Sequence, residues 1–144
     1  MKNLILIASL SLSTLAVNAA DFDARAAFGS APGRDLDAAL KRAQKDGKKV
    51  FVAVYDPKGD YNNQGLQIKY FTDLEETKKL LKENFVVVLL PVGHKDLANI
   101  TSGTNLERPR FFLLSSTGQK IKDDTLAQNA EYALKVVKEL VALP

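Results

Sequence analysis

Two uninterrupted apolar runs set the limits on this chain: residues 50–55 read VFVAVY and residues 85–90 read FVVVLL. A strand with one wet face alternates apolar and polar residues, and neither run does, so both are expected to be covered on both faces. Their β-branched and aromatic content favours strands. Between them lie a polar loop and then a helical pattern, with Leu74, Thr77 and Leu81 on one face and Leu80 beside them. Thr72 followed by Glu75 has the spacing of a capping box at that helix's start. Strand, helix and strand with both strands buried make a right-handed βαβ unit with a parallel pair. The expected fold class is therefore α/β.

The flanking elements fit the same plan. Leu36, Ala39, Leu40 and Ala43 recur at helical spacing, with Asp35 suited to the N-cap and Gly47 to the stop, which predicts a helix from Leu36 to Asp46. After Pro91 comes an irregular stretch through His94, a short helix over residues 95–100 and a loop over 101–108 that Pro109 closes. Residues 110–114 read as a third strand, residues 116–118 as a hairpin turn and residues 119–122 as a returning edge strand with Ile121 facing inward. Ala130, Ala133, Leu134, Val137, Leu140 and Val141 mark a C-terminal helix that must cover one face of the sheet.

Residues 1–19 have the form of a secretory signal. Lys2 supplies a positive end, the apolar run from Leu4 to Val17 follows, and Val17, Asn18 and Ala19 offer small residues for a peptidase. That run is shorter than the roughly 20 residues a spanning helix needs and is broken by Ser9, Ser11, Ser13 and Thr14, so no membrane span is expected after cleavage. Residues 20–34, with Gly29, Pro32 and Gly33 and no sustained period, form a lead-in segment. Residues 35–144 form one domain, and a mature chain of about 125 residues is enough for one core and too short for two. The expected location is periplasmic or secreted. An oxidising space usually favours disulfides, yet the 144 residues contain no cysteine, so packing alone must hold the fold. The formal net charge of +3 is spread along the chain, and no aromatic residues are interleaved with the lysine pairs, so nucleic-acid binding is not expected.

Three stretches carry a family resemblance. ALKRAQKDGKKVFVAVYD resembles the first helix and central strand of bacterial thioredoxin-like proteins, YFTDLEETKKLLKENFVVVLLPV resembles their second helix and following strand, and RPRFFLLSSTGQKI resembles their proline-led hairpin. The pieces occur in order from Leu36 to Val141. The resemblance implies a thioredoxin-like fold, a central mixed β-sheet with helices on both faces. It also places the redox Cys-x-x-Cys of that family near Asp60, Tyr61, Asn62 and Asn63, within DPKGDYNNQG. Thiol–disulfide exchange requires a thiolate nucleophile, and carboxylate or amide side chains cannot replace it. Pro109 matches the family proline whose preceding bond is usually cis, which implies that Arg108 presents its backbone to an extended partner. A proline that simply closes a loop before an edge strand is the other reading.

Other chemistries find little support in the pattern. Asp56, Asp60, Asn62 and Asn63 share one loop but lack the alternating ligands and closing glutamate of a calcium loop, and turn chemistry accounts for them. His94 is the only histidine, which leaves no histidine-based metal cluster, and Ser115, Ser116 and Thr117 have no base nearby in sequence. Neither metal nor cofactor is expected. The functional expectation is a non-catalytic module that binds a protein or peptide through a groove formed by Asp56, Asp60, Tyr61, Asn62, Asn63, Arg108 and Pro109. The alternatives are an enzyme of a non-thiol class using Asp56, Asp60 or His94 for acid–base work, and a structural component of the cell envelope. The oligomeric state is left open.

Overall fold

The computed structural model describes residues 33–56 and 64–144. Helix α1 (Leu36–Asp46) leads into strand β1 (Lys49–Tyr55); helices α2 (Gln64–Asp73) and α3 (Glu75–Asn84) precede strand β2 (Phe85–Pro91). A 3-10 turn (Lys95–Asn99), the hairpin β3 (Arg110–Leu114) and β4 (Lys120–Thr125), and helix α4 (Ala130–Ala142) complete the order. Residues 1–19, expected as a secretory signal, and most of the expected lead-in fall outside the described residues.

The four strands form one sheet in the order β2-β1-β3-β4, with β1 parallel to β2 and the other pairs antiparallel, so the sheet is mixed as expected. Gly33 adds an isolated parallel bridge to Val88 on the outer side of β2, donating to Val87 O at 3.1 Å and accepting from Leu89 N at 2.9 Å. The two apolar runs are buried on both faces because each face has its own layer. Phe51, Ala53, Phe85, Leu89, Phe111 and Leu113 point toward α2, α3 and α4, whereas Val50, Val52, Val54, Val88, Phe112 and Leu114 point toward α1 and the 3-10 turn. The first layer is built around four aromatic rings. Phe51 stacks on Phe111 with centroids 5.3 Å apart and meets Phe71 at 5.4 Å and Phe85 at 6.4 Å.

The caps of α1 are those the sequence specifies. Asp35 accepts from Ala38 N at 3.0 Å, and Gly47 takes φ 65°, the left-handed region that glycine enters without a Cβ penalty. The capping box is corrected. Thr72 lies inside α2, where its hydroxyl donates to Lys69 O at 2.8 Å, and Leu74 begins α3 with no side-chain cap. The sequence reading missed α2 because only Ile68, Phe71 and Thr72 of that segment are buried, too few to display a helical period.

Candidate functional site

The register defines one end of the sheet. Tyr55 of β1 lies opposite Pro91 of β2, Val54 lies opposite Arg110 of β3, and Arg110 lies opposite Thr125 of β4. The chain therefore leaves β1 and β2, enters β3 and leaves β4 along one row. Backbone bonds close that row, from Val92 N to Tyr55 O at 2.8 Å and from Leu126 N to Pro109 O at 3.0 Å.

Asp56, Arg108 and Pro109 all sit on this row. Asp56 follows β1, is buried at 8% exposed and has an interaction partner. Pro109 is buried and Arg108 is exposed beside it. Asp60, Tyr61, Asn62 and Asn63 lie outside the described residues. The expectation of a cis bond before Pro109 is corrected: no peptide bond among the described residues is cis, so the bond from Arg108 is trans. Trans is the local default for an X-Pro bond, favoured by about 0.5–1 kcal/mol, and here the proline carbonyl meets Leu126 N in that geometry.

The loop that delivers Arg108 is tied down by short-range bonds. Asn105 Oδ1 accepts from Glu107 N at 2.7 Å while Asn105 Nδ2 donates to Glu107 Oε2 at 3.0 Å. Thr104 N donates to Thr101 O at 2.8 Å, and the Thr104 hydroxyl receives Lys120 Nζ at 3.3 Å and donates to Asp123 Oδ2 at 3.4 Å. Asp123 Oδ2 also takes Arg110 Nη2 at 2.7 Å, and its Oδ1 lies 3.5 Å from Lys120 Nζ. Partial burial pushes the Asp123 carboxyl up, but the Arg110 hydrogen bond and the Lys120 and Arg110 charges outweigh it and hold the group below its ordinary value. The sequence reading missed this network. The hairpin register brings Asp123 opposite Phe112, two residues along β3 from Arg110 on the same face, whereas the expected edge strand ended at residue 122 and left Asp123 outside it.

A second polar junction follows β2. His94 Nδ1 accepts from Asp96 N at 3.3 Å and caps the 3-10 turn, and Asp96 Oδ2 accepts from Leu36 N at 3.4 Å at the start of α1. Among the described residues no cluster of three or more histidine or carboxylate side chains could hold a metal ion. No described helix is long and apolar enough to cross a membrane.

The sheet order, the central parallel pair, the terminal hairpin and the helices on both faces define a thioredoxin-like α/β protein, and this one contains no cysteine. Solved structures agree on the fold. The chain superposes on a disulphide isomerase from Xylella fastidiosa Temecula1 with a TM-score of 0.61 and 14% identity, covering 73% of this chain and 87% of that one. It superposes on a poplar thioredoxin h mutant with a TM-score of 0.50 and 21% identity, covering 76% of this chain and 78% of that one. No family model and no curated protein sequence matches the chain.

Proposed function

We propose that the protein is a non-redox binding module of the periplasm or secreted space, one that keeps the thioredoxin-like scaffold and holds a polypeptide partner at the end of the sheet where Asp56, Arg108 and Pro109 emerge. The observation that carries this reading is that one row of the sheet joins the end of β1 to the entrance of β3 in a chain that supplies no thiolate. Arg108 offers a fixed fork of donors for a carboxylate or a backbone carbonyl, while Asp60, Asn62 and Asn63 offer acceptors and mixed amide groups beside the buried Asp56. That set suits an extended peptide better than an apolar small molecule. The leader sequence supports the location.

Affinity capture from an envelope extract, followed by titration of the captured protein, tests the reading. Arg108→Ala and Asp60→Ala should each weaken binding, and Arg108→Ala should leave stability within about 0.5 kcal/mol, because Arg108 is exposed and exposed substitutions rarely do more. Unchanged affinity in both variants would remove this surface as the binding site.

A further inference from the structure

We infer that His94 is a proton-operated switch that decides whether the Asp96 carboxylate serves the start of α1 or the imidazole. This inference stands independently of the peptide-binding reading. His94 is the only histidine, its side chain is 23% exposed, and Asp96 is 17% exposed beside it. Two contacts compete for the same ring nitrogen. Asp96 N donates to Nδ1 at 3.3 Å, which requires Nδ1 to be unprotonated and the ring proton to sit on Nε2. Asp96 Oδ2 lies 3.5 Å from that same Nδ1, placed to accept a proton-bearing nitrogen.

Protonation therefore exchanges one bond for another. A protonated Nδ1 cannot accept from the backbone, so the cap of the 3-10 turn is lost, and the new N–H turns to Asp96 Oδ2 as a charge-assisted donor. That oxygen already receives Leu36 N at 3.4 Å. The start of a helix carries partial positive charge, so drawing the carboxylate toward an imidazolium withdraws anionic support from the first turn of α1. Asp35 remains on Ala38 N at 3.0 Å, so the first turn keeps one cap and the helix stays formed. The charged groups that the contacts bring to this junction are Asp96 in the turn, bonded to Leu36 N, and Lys95, whose charge acts on Asp35 ahead of α1; Arg34 precedes Asp35 in sequence, and Asp56 follows Tyr55, the residue bonded to Val92. The switch adjoins the same end of the sheet, since Val92, two residues before His94, is bonded to Tyr55 O.

The test is an NMR titration of the ¹⁵N-labelled protein across the histidine range, about pH 5 to 8. At the alkaline end Nδ1 should resonate as a pyridine-type acceptor and Nε2 as the protonated nitrogen. On acidification the amides of Asp96 and Leu36 should shift with the same midpoint as the imidazole. His94→Asn, which keeps an acceptor at the cap but does not titrate, should abolish both shifts; Asp96→Asn should leave the residue-96 amide responsive and uncouple Leu36. A proton on Nδ1 at the alkaline end overturns the inference, as does an Asp96 amide that does not follow the imidazole. A Leu36 amide that still follows in Asp96→Asn overturns the relay through Asp96.

Discussion

Thr77 is fully buried in α3 and its hydroxyl has no hydrogen-bond partner. The reason lies in the break between two helices. A threonine within a helix can return its hydroxyl to the carbonyl one turn back, as Thr72 in α2 does to Lys69 O at 2.8 Å. Thr77 is the third residue of α3; Leu74 leaves the helical region at φ −97° and ψ 129°, so the carbonyl four residues back belongs to the preceding segment, and the Leu74 carbonyl three residues back is taken by Lys78 N at 3.1 Å. Thr77→Val replaces the hydroxyl with a methyl of similar size, and the two residues have nearly equal helix propensity. Removing a buried unsatisfied hydroxyl recovers about 1–3 kcal/mol of desolvation cost. We expect a gain of about 1–2 kcal/mol, which in a domain of this size raises the midpoint by roughly 4–8 °C. Thr77→Ser keeps the hydroxyl and loses the methyl, so it should destabilise by about 1 kcal/mol. Urea unfolding with a constant m-value, run beside thermal melts, measures both. A Thr77→Val protein no more stable than the parent would show that the hydroxyl is satisfied, and the account of the helix break would fail.

Asp123→Asn should cost roughly 1 kcal/mol at pH 7, modest because the side chain is a fifth exposed. Since the folded state holds this carboxyl below its ordinary value of 3.8, its contribution is complete above that value and is lost as pH falls through the lowered one. Urea midpoints of parent and variant should therefore converge in acid, and a gap that persists undiminished below pH 3 would refute the assignment. Pro109→Ala should cost only about 1 kcal/mol, because a trans proline loses its ring burial and its restriction of the unfolded chain but keeps the carbonyl that meets Leu126 N. A loss of several kcal/mol in a thermal melt would mean that the ring has a larger role. Insulin reduction and scrambled-ribonuclease refolding should stay at the blank, with or without added dithiol, and turnover by pure protein would reveal a chemistry outside this reading. Cysteines placed at Asp60 and Asn63 test the register separately, since an exchangeable disulfide there supports the alignment and its absence counts against it.

What the sequence made legible was whatever rests on repetition or on a residue with one physical use. The runs at 50–55 and 85–90 could only be strands covered twice, and α1 was framed by Asp35 and Gly47 with bounds that the structure reproduces. The residues of α2 carry no such period. The edge strand runs to Thr125 rather than ending at Lys122, because its later residues are charged and mark no apolar face. Nothing in the pattern marks Lys48 and Lys49 as bonded, yet Lys48 Nζ donates to Lys82 O at 2.8 Å and Lys49 Nζ to Leu143 O, near the C-terminal ends of α3 and α4 where carbonyls lack helical partners. Asp56, Arg108 and Pro109 could be grouped only through the family resemblance, since some 50 residues separate them and the strand register alone makes them neighbours.

The end of the sheet keeps its architecture without the bond that would otherwise be its chemistry. In thioredoxin-like proteins the redox pair begins the helix that follows the central strand, which here is α2. The chain has no cysteine, and α2 is held by packing, with Ile68 at 3% exposed, Phe71 at 1% and Thr72 at 8%, and with Tyr70 partly buried against the same layer. Phe71 lies against Phe51 at 5.4 Å and against Phe111 at 6.3 Å, so one ring from α2 is set against the stacked pair that joins β1 to β3. A buried phenylalanine is worth about 3–5 kcal/mol against truncation, a large share of the roughly 5–15 kcal/mol that separates folded from unfolded domains. The aromatic layer thus links α2 to both strands of the candidate site. The placement of α2 depends on apolar packing that needs no cysteine, and this is the physical reason a thioredoxin-like fold can stand in a chain without a redox pair.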